Sequence, residues 1–216
     1  MNRGRLISFE GLDGAGKTTQ MDLLGQWLES RHIPYVRTRE PGGTPLGVEI
    51  RQLLLTRPEL AITPLAEAFL FQADRAQHFA QVVLPALAEG KLVITDRCFD
   101  ASIAYQGHAR GVGIELVARL SVIATQGHIP NLTILLDLDP ALVPARTDNT
   151  NDASVLREQE TRFDAEEEQF HQRVREAFLV LARIYPDRIK VLDASLPPEL
   201  LHEQIIALVE PLLEDM

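Results

Sequence analysis

The first thirty residues leave little choice of fold. Arg5 to Glu10 is a short apolar run that reads as a buried strand. Directly after it stands Gly11-Leu12-Asp13-Gly14-Ala15-Gly16-Lys17-Thr18, followed by Thr19. From Thr18 to Ser30, Met21, Leu23, Leu24, Trp27 and Leu28 recur at helical spacing. Strand, glycine-rich turn and helix in that order make a phosphate-binding loop. The glycines let backbone N–H groups curl around phosphate oxygens, Lys17 reaches the β- and γ-phosphates, and the Thr18 hydroxyl is placed to hold Mg²⁺. The helix N-terminus adds its dipole to the same anion site. A glycine-rich turn that merely carries a lysine is the competing reading, and the flanking strand and helix argue against it. Residues 11–19 are therefore expected to bind a nucleoside triphosphate.

The rest of the chain alternates in the same way. Short strands are expected at 33–38, 91–95, 132–138 and 189–192, with helices at 46–56, 64–89, 114–126, 155–185 and 198–213. Continuous apolar strands between helices require a parallel sheet covered on both faces. The expected fold is thus α/β: a five-stranded parallel sheet with helices on both faces, in the P-loop NTPase class. At 216 residues, with no repeat and no linker, the chain reads as one domain, 1–216. A net charge of −10 disfavours a nucleic-acid polymer as partner, although arginines can still gather in one anion cleft. The single cysteine, Cys98, rules out an internal disulfide and a cysteine-based zinc site. No run is long enough for a membrane span, and no signal peptide fits ahead of the first strand, so the expected location is cytoplasmic.

Ligands of open parallel sheets bind at the carboxyl ends of the strands. Those ends carry the phosphate loop, Arg39-Glu40-Pro41-Gly42-Gly43, Asp96-Arg97 and Asp137. Asp96 is placed like the acid that supports Mg²⁺, and Arg97 like a grip on a second phosphate. Asp137 reads either as a rival for the metal or, preferably, as a helix cap ahead of Pro140. Phe71 and Arg75 stand four apart on the helix expected at 64–89, hence on one face. An aromatic ring and a fork of donors could stack on a base and bond it. Without further evidence they read as a core Phe beside a surface Arg. Gln106 could read a base edge and Tyr105 could wall a sugar. The polar stretch Thr147 to Ser154 reads as a loop, either a tolerated insertion or part of a lid.

Several stretches then agree with one family in its own order: Phe9 to Thr19, Thr38-Arg-Glu-Pro-Gly-Gly-Thr44, Phe71-Gln-Ala-Asp-Arg75, Asp96-Arg97, Ala104-Tyr-Gln-Gly107 and Leu136-Asp-Leu-Asp-Pro140. Over nearly its whole length the chain resembles the bacterial thymidylate kinases, P-loop nucleoside monophosphate kinases that phosphorylate dTMP with Mg·ATP. The resemblance implies that Phe71 stacks on thymine, that Arg75 and Gln106 bond its edge, and that Tyr105 packs against C2′. It implies further that Asp13 faces the 3′-hydroxyl and that Arg97, with Arg51, binds the acceptor phosphate. Glu40 and Ser102 complete the dTMP site, Arg146 lies against adenine, and Thr18 and Asp96 serve the metal. Members with glycine at the position of Gly14 take their catalytic arginine from the lid, here about residues 144–163. Arg162, opening Arg162-Phe163-Asp164, is the better match and Arg157 the alternative. The lid looks longer than in the family, Cys98 stands where an aromatic or His is usual, and Ala101 where Ser is common. Lys17, Arg97 and a lid arginine would neutralise charge during transfer. The resemblance also implies a homodimer, for which the apolar helices at 64–89 and 114–126 are candidate faces.

Overall fold

The computed structural model describes residues 4–142, 163, 166 and 168–214. Five strands, β1 (Arg5–Gly11), β2 (Tyr35–Arg39), β3 (Leu92–Asp96), β4 (Leu132–Asp137) and β5 (Ile189–Asp193), form one sheet in the order β2-β3-β1-β4-β5. Every neighbouring pair is parallel. The helices used below are α1 (Lys17–Ser30), α2 (Pro45–Thr56), α3 (Pro64–His78), α4 (Ile114–Ala124), α5 (Glu168–Ile184) and α6 (Pro198–Leu213). The expected α/β fold is the one observed. Among the described residues, no helix is long and apolar enough to cross a membrane.

Strand alternation divides the core in two. On β1, Ile7 and Phe9 join Met21, Leu24, Ile94, Ile134 and Ile205 on the face covered by α1 and α6. Leu6 points the other way, into a cluster with Leu54, Val83, Val93, Leu135 and Phe178 beneath α2, α3 and α5. Ser8 and Glu10 share that second face by parity, and both are buried. The result is a polar seam under the sheet. Ser8 Oγ lies 2.9 Å from Thr133 Oγ1, Thr133 Oγ1 donates to Asp100 Oδ2, and Arg188 grips both Asp100 oxygens at 2.6 and 2.9 Å. A bidentate arginine supplies the charge that a buried carboxylate needs.

Boundaries moved where local chemistry competes. The second strand starts at Tyr35, past Pro34, rather than at residue 33. The long helix expected at 64–89 changes pitch: α3 passes into a wide five-residue turn, Phe79–Val83, and resumes at Leu84–Ala88. Pro85 explains this, because it has no N–H to give to the preceding turn and its ring crowds the carbonyl four residues back. The helix expected at 155–185 is described from Glu168. Its earlier portion, the loop 147–154 and Arg146, Arg157 and Arg162 lie outside the described residues.

Candidate active site

The carboxyl ends of β1, β2 and β3 converge as the sequence predicts. At the end of β1, Gly11 has φ 133°, and a Cβ there would sit 2.4 Å from the Leu136 carbonyl of neighbouring β4. Only glycine fits so close to another backbone. Gly16 caps α1 with φ 92°, also in the left-handed region. Between them the loop turns back on itself. Lys17 lies in its hollow, donating to the carbonyls of Leu12 at 3.0 Å and Gly11 at 3.3 Å. Thr18, Asp13 and Gly14 are exposed at the rim.

Arg97 ties this loop to the other half of the cleft. It follows β3 with φ 66°, a conformation uncommon for a non-glycine residue, held by its own N–H to the Phe9 carbonyl and by Thr95 Oγ1 to its carbonyl. Its Nη2 donates to Asp13 Oδ1 at 2.8 Å and to the Tyr105 hydroxyl at 3.3 Å, and its guanidinium lies 5.0 Å from the Tyr105 ring centre. Burial works against the Arg97 charge, but Tyr105, Asp13, Asp96 and Glu10 outweigh it and raise its pKa well above the ordinary value. The protein around Asp13 partly desolvates its carboxyl, yet Arg97 and Lys17 hold it well below the usual carboxylate range. Tyr105 is pushed up to about 12 by burial. The site thus presents a fixed anion, two fixed cations and a neutral phenol.

Two carboxylates lie beneath this layer. Glu10 accepts the Cys98 N–H at 2.8 Å, and burial, with Asp100 nearby, raises its pKa to about 8. Asp96 pairs in register with Phe9, and its Oδ1 is buried without a hydrogen-bond partner among the described residues. An orphaned acceptor next to a phosphate loop fits a hard cation with an oxygen shell. Among the described residues no three His, Cys, Asp or Glu gather into a metal cage.

The second half of the cleft is built on one face of α3, where Glu67, Phe71, Arg75 and His78 succeed one another at helical spacing. Arg75 is only 1% exposed. Its Nε donates to Glu40 Oε2 at 2.8 Å, Nη1 to Gln72 Oε1 at 2.9 Å, and Nη2 to Ser102 Oγ at 3.0 Å and the Cys98 carbonyl at 3.2 Å. Glu40 is itself buried, with Oε1 on His78 Nδ1 at 2.8 Å, while His78 Nε2 meets Thr38 Oγ1 at 2.7 Å. Asp74 accepts the Gly42 N–H, and burial beside Glu40 raises its pKa to about 6. Gln106, on the wide turn Ile103–Ala109, donates to Glu67. Phe71 is half-buried, 6.3 Å from the Phe163 ring, and Phe163 also meets Tyr105 at 5.8 Å. Arg51 of α2 donates to the Pro41 carbonyl at 3.2 Å.

Two sequence expectations change here. Arg75 is not a surface residue beside a core Phe; it is among the most deeply buried side chains described. Asp137 caps no helix, because both its oxygens accept from Arg175, at 2.7 and 2.9 Å. The cap before the Pro140–Leu142 turn comes instead from Asp139, which accepts the Ala141 N–H. Ser102 and Glu40, expected at the dTMP site, are both hydrogen-bond partners of Arg75. Sequence reasoning passed over Glu10, Glu67, Asp74 and His78. For Glu67 and His78 the signal existed, since both fall on the helical face of Phe71 and Arg75.

A phosphate loop, a charged bridge from it and a neighbouring group of aromatic and amide side chains are now in place. Residues 9–205 match a protein-family model described as thymidylate kinase. The chain belongs to the thymidylate kinase family. It is similar to the thymidylate kinase of Gloeobacter violaceus, 49% identical over 97% of this chain and 96% of that protein. It is also similar to that of Pelotomaculum thermopropionicum, 44% identical over 98% and 95% respectively. The crystal structure of thymidylate kinase from Ehrlichia chaffeensis superposes with a TM-score of 0.75 at 30% identity, covering 96% of this chain and 99% of that one. Membership places the five-stranded sheet among the P-loop nucleoside monophosphate kinase folds.

Proposed function

We propose that the cleft transfers the γ-phosphoryl group of ATP to the 5′-phosphate of dTMP by charge neutralisation and alignment, without a general base. Phosphorylation of dTMP to dTDP is the reaction of the family, with ATP as its general donor. The observation that carries the reading is Arg97, whose single Nη2 reaches both Asp13 of the phosphate loop and Tyr105, whose ring packs on Phe163 beside Phe71. Donor and acceptor sites therefore share one cation.

The acceptor phosphate has a second pKa of about 6, so at neutral pH it is already an anion and a nucleophile. Asp13 is held ionised by Arg97 and Lys17, which makes it a poor proton acceptor and a good partner for the sugar 3′-hydroxyl. Residues 11–19 cradle the triphosphate, with Lys17 leaving its loop carbonyls for the β/γ-phosphates. Mg²⁺ bound with ATP supplies charge neutralisation there, and Thr18 and Asp96 are the residues that would hold it. Arg97, with Arg51, receives the acceptor phosphate. Phe71 offers its face to thymine, Arg75 and Gln106 its edge contacts, Tyr105 the wall at C2′, and Ser102 and Glu40 support Arg75. Arg146 at adenine and a lid catalytic arginine, Arg162 or Arg157, complete the reading, because Gly14 brings no charge to the loop. An ATP-dependent reaction of this kind belongs in the cytoplasm.

The test is ADP release from Mg·ATP with dTMP, dUMP, AMP, GMP, CMP and UMP in turn. A clear preference for dTMP is expected; equal or better use of AMP would overturn the reading.

The reading includes a homodimer. Helices α2, α3 and α4 pack side by side and expose Leu46, Leu65, Phe69, Leu116, Val122 and Ile123, the last 74% exposed. Exposed apolar side chains on neighbouring helices are a candidate face for a partner, and a second copy is the occupant proposed. Sedimentation is expected to give twice the 24.1 kDa chain mass, and one chain mass after Phe69→Glu with Ile123→Glu. A wild-type monomer would remove the dimer from the reading.

A further inference from the structure

We propose that Glu67 is a positioning residue that fixes the side-chain amide of Gln106 in one orientation, and so selects a pyrimidine carrying an N3–H over an aminopyrimidine. This rests on the base-site reading above. Glu67 and Gln106 are each 1% exposed, and Gln106 Nε2 donates to Glu67 Oε1 at 2.8 Å. A glutamine amide has two orientations of nearly equal shape that exchange a donor for an acceptor. A carboxylate oxygen only accepts. The flipped amide would set its oxygen against the Glu67 carboxylate oxygen where no water intervenes, a costly contact between two buried acceptors. Glu67 therefore admits one orientation, with the NH₂ inward and Gln106 Oε1 turned away as an acceptor for the base.

Glu67 is itself held in place. Arg110 Nε lies 3.5 Å from its Oε1, and Arg110 Nη2 is bound by Glu166 at 2.5 Å. The Arg110 guanidinium rests 4.6 Å from the Phe170 ring centre and 5.4 Å from that of Phe163. This aromatic seat limits the motion of the arginine, and through it of Glu67.

Arg75 supplies the complementary half. Its bonds to Glu40, Gln72, Ser102 and the Cys98 carbonyl occupy four N–H groups, and a guanidinium has five. Among the described residues, one N–H on Nη1 is left as a donor. A donor from Arg75 beside an acceptor from Gln106 complements the C4=O and N3–H of thymine or uracil. The N4–H₂ and N3 of cytosine present the reverse pattern and mismatch at both. The Arg75 half is set by its own partners, and the Gln106 half is set by Glu67.

The experiment compares kcat/KM for dTMP and dCMP in the wild type, Glu67→Gln and Glu67→Asp. In Glu67→Gln the partner can donate as well as accept, so the Gln106 amide turns freely and can offer its NH₂ to N3 of cytosine. In Glu67→Asp the acceptor withdraws by one methylene while the charge beside Arg110 stays. The dTMP-to-dCMP ratio is expected to fall about tenfold in both, the effect of losing one matched hydrogen bond at a specificity site. Thermal melts confirm folding, and if Glu67→Gln does not fold, Glu67→Asp decides. Equal loss toward both nucleotides, with the ratio unchanged in a folded variant, would show a merely structural role and overturn the proposal. A wild type that uses dCMP as well as dTMP would sink the base-site reading itself, before any variant is measured.

Discussion

Replacing Arg97 by alanine is expected to lower kcat/KM for dTMP by about two to three orders of magnitude and leave the fold intact. The size follows from what a preorganised cation contributes in a water-poor site, where removing one such donor costs roughly 10²–10³ in turnover. The geometry explains why the loss should be large. Arg97 is fixed on both sides, by Asp13 and Tyr105, and its backbone conformation is locked by Phe9 and Thr95. It needs little reorganisation when charge develops, so its stabilisation is available at the transition state. Its Nη1 is buried without a partner among the described residues, a donor in place for an incoming phosphate oxygen. Alanine also removes the main attraction that keeps Asp13 ionised. Arg97→Lys should rescue little, because a single ammonium cannot span Asp13, Tyr105 and a phosphate at once. Stopped-flow or coupled kinetics, with circular dichroism for the fold, checks this. A variant within threefold of wild type would remove Arg97 from the reaction.

The second large effect falls on stability as well as binding. Arg75→Met is expected to destabilise the protein by about 3–5 kcal/mol, the cost of breaking a buried ion pair from one side. Among the described residues, Glu40 would keep only His78 as a side-chain partner while remaining buried. That loss is a large part of the roughly 5–15 kcal/mol that holds a domain folded. Adding Glu40→Gln to Arg75→Met should recover part of it, since the double variant no longer buries an uncompensated carboxylate. dTMP binding should not recover, since the base-edge donor is gone. Arg75→Lys should fare nearly as badly as Arg75→Met, because three nitrogens in a rigid fork serve four acceptors in four directions. Urea unfolding and dTMP calorimetry on the three proteins test this. A stable Arg75→Lys with unchanged dTMP affinity would defeat the account.

The site was legible where its residues are contiguous or share a helix period. The phosphate loop could be read directly, because its glycines act through backbone geometry and Lys17 and Thr18 stand at fixed positions next to them in the chain. Asp96 and Arg97 were legible because an apolar strand points to its own carboxyl end. Phe71 and Arg75 could be placed on one face, but not at a depth. A helix period gives direction around an axis and says nothing of what packs against it. Arg75 went inward because Glu40, thirty-five residues earlier, and Ser102, twenty-seven residues later, meet it there. Asp137 looked like a cap because Pro140 follows, yet Arg175 of α5 claimed both its oxygens from a distant part of the chain. Local cap signals lose to a bidentate charged partner when the fold brings one within reach.

By itself, the sequence determined the alternation of strand and helix, the parallel sheet and the glycine-rich loop at the end of β1. Those depend on hydrophobic period and on backbone freedom, which are properties of neighbouring residues. The tertiary structure alone decided which polar side chains are buried and what each one faces. It set Glu67 against Gln106, Glu40 against Arg75 and His78, and Arg97 between Asp13 and Tyr105. A charge or amide inside a protein takes its orientation from its partners, and those partners come from strands and helices far apart in the chain.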